Sequence, residues 1–413
     1  MPQPVITNRR EFLQSCALLT GATLLPRAIG AAPAGPRTVT FEKIVLTDEY
    51  YADGIAYGDI NRDGHMDIVA GPFWYEGPDF KVRHRFYGAA ALPQTAPAST
   101  SMFSFVYDFN GDGWPDILVL GRLLTTELFW YENPRGEDRP WKKHFVAHRL
   151  YGESKLFLDI NGDGKPELIG HVDHRWGYLA PDWAHPELPW IFTPITETGK
   201  WPEYWHGTGA GDINGDGRMD LVLYDGWYEQ PAEPGKLWKH HPMKFGPGRG
   251  GAQMMIYDVD GDGLLDVVSS IDARRWGLSW FQQVRDAEGT ISFKEHRIMG
   301  DRSEQEKFGA AFSQPHALCM ADIDGDGLMD VIVSKRLWAH GQNGDVEPMA
   351  PPVVYWFQLT RDPVNGVKFI PHLVDYHSGG GVQIAAGDVT GGGLPDILTA
   401  SKLGAFLFIP HLT

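Results

Sequence analysis

Six nine-residue phrases place oxygen-bearing side chains at alternate positions. They comprise Asp59, Asn61, Asp63 and Asp67; Asp108, Asn110, Asp112 and Asp116; Asp159, Asn161, Asp163 and Glu167; Asp212, Asn214, Asp216 and Asp220; Asp258, Asp260, Asp262 and Asp266; and Asp322, Asp324, Asp326 and Asp330. A hard divalent ion takes oxygens from alternate residues of one tight loop, as in the first positions of an EF-hand loop, and the Gly at the sixth position supplies the turn. The chemistry implied is calcium binding at up to six sites. A seventh phrase, Asp388 to Asp396, has Gly392 where the central acid belongs and is expected to bind weakly or not at all. An acidic turn without metal is tenable for one copy; six nearly intact copies favour calcium.

The elements around the phrases explain their placement. An EF-hand loop would run into a helix, whereas here each phrase leads into a short β-branched run such as Ile68-Val69-Ala70, Leu221-Val222-Leu223 or Val331-Ile332-Val333. An aromatic strand follows (Phe73-Trp74-Tyr75, Phe129-Trp130-Tyr131, Trp227-Tyr228, Trp280-Phe281, Tyr355-Trp356-Phe357), and then a more polar one. With the apolar strand before each phrase, every repeat supplies four strands, and the first residues of successive phrases lie 49, 51, 53, 46, 64 and 66 apart. Four strands repeated radially predict an all-β, seven-bladed β-propeller over residues 35–413. The last repeat stops after its third strand, while Phe41-Glu42-Lys43-Ile44-Val45 is an orphan outer strand, so residues 41–46 are expected to close the last blade.

Blade geometry divides the loops between two faces. The acidic phrases join first to second strands on one face, and residues before a first strand or after a second strand share the other. That second face gathers Trp205 and His206, Gln314 and His316, His377, His174 and Trp176, Arg275 and Trp276, and Lys335, Arg336 and His340. His316 and His206 each precede an inner strand, where a side chain can point to the axis. By contrast His144, His240, His296 and His372 recur at one place in the outer strand, which suggests blade packing.

The phrases resemble FG-GAP/VCBS repeats, the calcium-bearing blades also seen in integrin α-subunit propellers, over roughly residues 40 to 413. More narrowly, GPFWYEGP (71–78), HGTGAGDINGDG (206–217), GWYEQP (226–231), SQPHALCMADIDGDG (313–327), SKRLWAHG (334–341) and HSGGGVQ (377–383) are similar to the propeller domain of the aldos-2-ulose dehydratase family. That resemblance implies elimination of water or an alcohol β to a sugar carbonyl, which needs a base for the α-proton, a donor or cation for the enolate oxygen, and an acid for the leaving oxygen. On this chain it implies His316 as base, Lys335 and Arg336 as enolate or hydroxyl holders, and His206, His377 or His340 as acid. Trp205, Trp176 and Trp276 would stack on a pyranose ring, with His174, Arg275 and Gln314 as further binding residues. A second divalent metal such as zinc on this face is left open, because no close-spaced histidine motif compels it. In that family cupin-type domains follow the propeller, so activities that need them are not implied here. The alternative is a propeller that binds a glycan or a protein without transforming it.

Composition narrows the partners. The formal charge is −17, with 53 acidic against 36 basic residues. This disfavours nucleic acid and anionic membranes. Much of the acidity is ligand charge: six divalent ions would bring the mature chain from about −19 to about −7. Residues 1–34, with Arg9-Arg10, an apolar stretch and Ala32-Pro33-Ala34, have the pattern of a cleaved twin-arginine export signal, implying a periplasmic or secreted protein. Of the two cysteines, Cys16 and Cys319, only the second would survive cleavage, so calcium rather than a disulfide is the expected staple. No later segment is long and apolar enough to insert in a membrane.

Overall fold

The seven short runs that precede the acidic phrases form the inner strands of seven antiparallel four-stranded sheets. These runs are Ile55–Gly58, Phe103–Tyr107, Tyr151–Leu158, Thr208–Gly211, Met255–Tyr257, Pro315–Ala321 and Ile384–Gly387, which we number as blades 1 to 7. The computed structural model describes residues 38–121, 127–246 and 250–413; the expected export signal, residues 1–34, lies outside them. In blades 1 to 6 the strands follow chain order from the axis outward. Blade 7 takes its outermost strand from Val39–Thr47, which pairs with the last strand, Gly404–Leu412, in a register that sets Val39 opposite Leu412 and Ile44 opposite Leu407. Among the described residues no helix is long and apolar enough to cross a membrane.

The second strands are buried along their whole length, as in Asp67–Ala70 and Asp220–Leu223, with Val172 at the end of the blade 3 strand the one partly exposed residue, because each sheet is sandwiched between two neighbours. Apolar cores therefore lie between blades: Val268 and Trp280 of blade 5, for example, share one cluster with Leu318, Val331 and Phe357 of blade 6. The third and outer strands add a repeated stack. Trp74, Trp130, Trp227, Trp280 and Trp356 lie flat on His84, His144, His241, His296 and His372 at 3.9–4.4 Å between centroids. Each imidazole Nε2 also meets the side chain of Glu76, Glu132, Glu229, Gln282 or Gln358. In blade 4 it is His241 that takes the tryptophan, while His240 stacks on Tyr228. The expected position was therefore off by one residue, which in a strand is the opposite face.

The acidic phrases are tight turns. Their sixth-position glycines share one left-handed conformation, with φ between 86° and 92° from Gly64 to Gly327 and 86° at Gly393 of the decayed copy, which favours a residue without Cβ. The ninth-position carboxylates turn inward. In blade 4, Asp220 Oδ2 accepts the Ile213 N–H at 3.0 Å and Oδ1 the Gln230 N–H at 2.9 Å, tying the turn to the end of the third strand. The same pair of bonds recurs at Asp67, Asp116, Asp266 and Asp330. Side-chain amides near the end of the third strand then reach the preceding blade: Asn133 to the Ile60 carbonyl, Gln230 to Ile160 and Gln283 to Ile213. On the axis, Gln253 accepts from Leu318 N–H and donates to the Val382 carbonyl. Gln383 bonds both backbone groups of Ser104, so two glutamines bridge blades across the channel.

Candidate functional site

Two inner strands lose their regular pairing at the end away from the acidic turns and a third is preceded by a turn, and each of these features places one candidate side chain. In blade 3 the ladder skips from Tyr151 to Leu156. Gly152 and Glu153 instead donate their N–H groups to the carbonyls of Glu203 and Trp205, which leaves Glu153 outside the ladder to the second strand. In blade 6 the ladder skips from Pro315 to Ala317, freeing His316. His206 precedes the blade 4 strand, where the positive φ of Gly207 lets the chain turn.

The three side chains meet. His206 Nε2 lies 2.8 Å from Glu153 Oε2, His316 Nε2 lies 3.3 Å from the same oxygen, and the two Nε2 atoms are 3.3 Å apart. All three residues are buried. Because the Tyr204 carbonyl, 2.8 Å from His206 Nδ1, can only accept, that nitrogen carries a proton. A neutral His206 would then aim its Nε2 lone pair at a carboxylate oxygen, which requires a cation between them: a proton or a metal ion. A single point about 2.0 Å from all three atoms satisfies these separations, the distance of zinc from nitrogen and oxygen ligands. Burial opposes the charge of Glu153, yet His206 and His316 hold its carboxyl well below the usual carboxylate range. Burial, followed by the nearby Arg336, pushes His316 down to about 4, so its imidazole is neutral at pH 7 and able to ligate.

Arg336, at the end of the second strand of blade 6, connects this triad to a second polar group. Its Nη1 is 3.3 Å from His316 Nε2, its Nη2 is 3.5 Å from the Pro97 carbonyl and 3.8 Å from Asp53 Oδ1, and its Nε has no partner. Burial works against the guanidinium charge, and Asp53 and Glu153 more than restore it. Asp53 Oδ2 accepts from the Tyr50 hydroxyl and from Ser99 N–H, while its Oδ1 has no hydrogen-bond partner. Lys402 reaches the carbonyls of Gln94 and Ala96, so the 88–101 segment, exposed except at its buried serines Ser99 and Ser101 and a few half-buried residues, is held by groups from blades 6 and 7 and the approach to blade 1.

A family model for an FG-GAP-like repeat matches residues 108–170 and 258–333, which hold four of the acidic turns. The chain carries FG-GAP-like repeats. No curated protein matches its sequence. Among solved structures, an Agrocybe aegerita lectin described as recognising non-reducing terminal N-acetylglucosamine is 14% identical, with 91% of this chain and 86% of that one covered and a TM-score of 0.47. The Bacillus licheniformis rhamnogalacturonan lyase is 15% identical over 93% of this chain and 74% of that one, TM-score 0.41. Rhamnogalacturonan lyase YesW is 14% identical over the same shares, TM-score 0.43.

The FG-GAP-like propeller brings together only part of the residue set expected on this face. His206, His316 and Arg336 converge. Lys335 is wholly buried beside them in sequence, donating to Ser313 Oγ and the Arg336 carbonyl, and burial pushes its amine down to about 8. Gln314 is buried with its amide on the Val346 carbonyl. His340 is exposed, its Nδ1 2.7 Å from Asp345 Oδ1. His377, His174 and Arg275 are exposed, and the His174 ring bonds the Trp201 carbonyl. Trp176 does not stand ready to stack on a sugar: it is 1% exposed, packed in the core between blades 3 and 4. Trp205 packs edge-on against Tyr224, and Trp276 is half-buried under Arg302. Sequence reasoning missed Glu153, Asp53, Tyr50 and Lys402. Glu153 carried a signal, being the only acidic residue in the seven inner strands.

At the acidic turns, carboxylate oxygens of Asp258, Asp260 and Asp262 gather within 4.8 Å of one another, as do those of Asp322, Asp324 and Asp330. The donor set is oxygen throughout, which suits a hard ion.

Proposed function

We propose that this propeller is an exported carbohydrate lyase or dehydratase acting by β-elimination on keto-sugars or related glycosides, with a transition-metal site at the mouth of its channel and calcium in its acidic turns. The observation that carries the reading is the convergence of Glu153 Oε2, His206 Nε2 and His316 Nε2 within 2.8–3.3 Å in a buried setting. These residues would hold a zinc-like ion, which when bound supplies Lewis-acid polarisation of a sugar carbonyl or hydroxyl oxygen. Arg336 stands beside the ligated imidazole to stabilise developing negative charge. Because His316 and His206 are engaged as ligands, they are poorly placed to serve as free base and acid, the roles the family resemblance implies. His340 is an imidazole oriented by a carboxylate. Asp345 fixes its tautomer, leaving Nε2 to exchange a proton with a ligand, and the same carboxylate is within electrostatic reach of Arg336 and Lys402. Six intact acidic turns, loaded with calcium, would hold the hairpins that set the blades.

The test is ultraviolet detection of a conjugated enone when the metal-loaded protein meets 1,5-anhydrofructose or 3-keto-glycosides, beside Glu153→Gln and His316→Ala. We expect enone from the wild type, loss of about one tightly held transition metal in either variant, and loss of activity with it. Sugar binding by calorimetry with no enone from the wild type would favour the non-catalytic glycan-binding reading instead.

A further inference from the structure

Arg336 is a buried guanidinium, 3% exposed, whose hydrogen-bonding capacity the protein leaves largely unused. A guanidinium carries five N–H donors in a planar fork that suits a carboxylate. Here Nε has no partner, the bond to Pro97 is 3.5 Å long, and the nearest carboxylate oxygen, Asp53 Oδ1, is at 3.8 Å. Its remaining contact, Nη1 to His316 Nε2 at 3.3 Å, uses the lone pair that a metal ion would take. Loading the triad therefore strips Arg336 of that acceptor too. Charge points the same way. With Lys402 and Asp345 counted, a divalent ion, Arg336 and Lys402 bring four positive charges against three from the carboxylates of Glu153, Asp53 and Asp345, and a buried excess charge is costly unless a counter-charge is supplied. Beside the unused donors lies an unused acceptor: Asp53 Oδ1 has no hydrogen-bond partner, while Oδ2 is taken by Tyr50 and Ser99. A group that offers a carboxylate to the ion and Arg336, and an adjacent hydroxyl to Asp53, matches all three features.

We propose that the ligand of this site is an acidic sugar whose carboxylate is read by Arg336 and whose neighbouring hydroxyl is read by Asp53. This rests on the metal-site reading above and narrows it from sugars in general to uronates. A uronate also suits β-elimination: its α-proton lies next to the carboxylate, and neutralising that carboxylate with Arg336 and a cation lowers the cost of proton removal. The C–H bond breaks as the ring gains a double bond, the proton passes to a basic group, and the C–O bond to the leaving oxygen breaks with its electron pair, so no oxidant or reductant is needed.

The experiment uses the full mature chain in excess calcium, with and without zinc, and calorimetry with D-glucuronate, the uncharged glucuronamide and the open-chain gluconate. We expect zinc-loaded wild type to bind glucuronate at least about tenfold more tightly than glucuronamide, and more tightly than gluconate. Arg336→Gln should erase the preference for the acid while zinc stoichiometry is unchanged, and Arg336→Lys should restore only part of it, because an ammonium lacks the fork. Equal binding of acid and amide, no binding of glucuronate, or a preference that survives in Arg336→Gln would overturn the proposal. Tighter gluconate would overturn the sugar ring as the recognised frame. Should Arg336→Gln fail to fold, the acid-against-amide comparison on wild type still decides. Failure of the metal-site reading has a separate signature: zinc stoichiometry that does not change in Glu153→Gln.

Discussion

Asp216 and Asp220 belong to one acidic phrase, yet the structure gives them different work, and chelator should separate the two. Asp220 is fully buried and accepts the backbone N–H groups of Ile213 and Gln230. Replacing it by Ala leaves two buried donors unsatisfied, at about 1–3 kcal/mol each, or roughly 2–6 kcal/mol together. With an unfolding entropy of about 2.1 cal/mol/K per residue, a propeller of this size would lose about 3–8 °C in Tm. Asp216 is partly exposed, and besides a backbone N–H its carboxylate meets Arg218. Asp216→Ala should cost about 4 kcal/mol when calcium is about a thousandfold above its dissociation constant, because the ion is lost. In chelator a surface ion pair, a turn bond and an exposed bond from the Asn214 amide remain, so the cost should fall to about 1 kcal/mol. The assay is thermal unfolding of wild type, Asp216→Ala and Asp220→Ala, each with calcium and with chelator, and Asp216→Ala should leave sugar binding intact. If the Asp220→Ala penalty disappears in chelator along with that of Asp216→Ala, the ninth carboxylate is a metal ligand only and the structural role argued for it is wrong.

Chelator alone should lower the wild-type Tm by many degrees, since crowded carboxylates in each turn would then repel; an unchanged melting curve would count against structural calcium. Burial pushes Lys335 and Lys402 down to about 8, with Arg336 adding to the effect at Lys402. Between about pH 8 and the unfolded lysine value near 10.4 the unfolded chain binds more protons, so stability should rise with pH over that window. Lys335→Met should be more stable than wild type at pH 7 and show a shallower rise to pH 9.5 in denaturant titrations. Truncation through Thr47 removes the outermost strand of blade 7 and bares the edge of Gly404–Leu412. We expect loss of cooperative unfolding and self-association by light scattering, and a truncated chain that stays monomeric with wild-type Tm would contradict that. His144→Ala, which removes the stack on Trp130 and the bond to Glu132, should cost about 1–3 kcal/mol by denaturant titration without altering sugar affinity.

Local chemistry made the propeller legible. A turn such as Asp212 to Asp220 needs its residue types at fixed spacing, because its glycine adopts positive φ and its carboxylates bond within the same turn. The β-branched and aromatic runs that follow have one fate when a sheet is buried on both faces, so blade number and strand order could be read from repetition, and the orphan Phe41–Val45 run could be matched to the incomplete last repeat. His206 and His316 were found by the same logic, since topology brings the approaches to inner strands to the axis whatever their side chains do there.

The composition of the site was not local. Glu153, His206, His316 and Arg336 come from blades 3, 4 and 6, and their meeting depends on ladder irregularities at Tyr151/Leu156 and Pro315/Ala317 that no short-range rule specifies. Whether an aromatic such as Trp176 faces a ligand or a neighbouring blade is likewise set by packing: its sequence context suits either, and burial between blades 3 and 4 chose the second. Sequence by itself determined the repeat, the strand pattern, the acidic turns and the face on which a site would lie, because each depends on residues within one blade. Only the tertiary structure decided which carboxylate joins the two histidines and which guanidinium is left short of partners, because those depend on where side chains of different blades meet, His206 and His316 standing 110 residues apart in sequence.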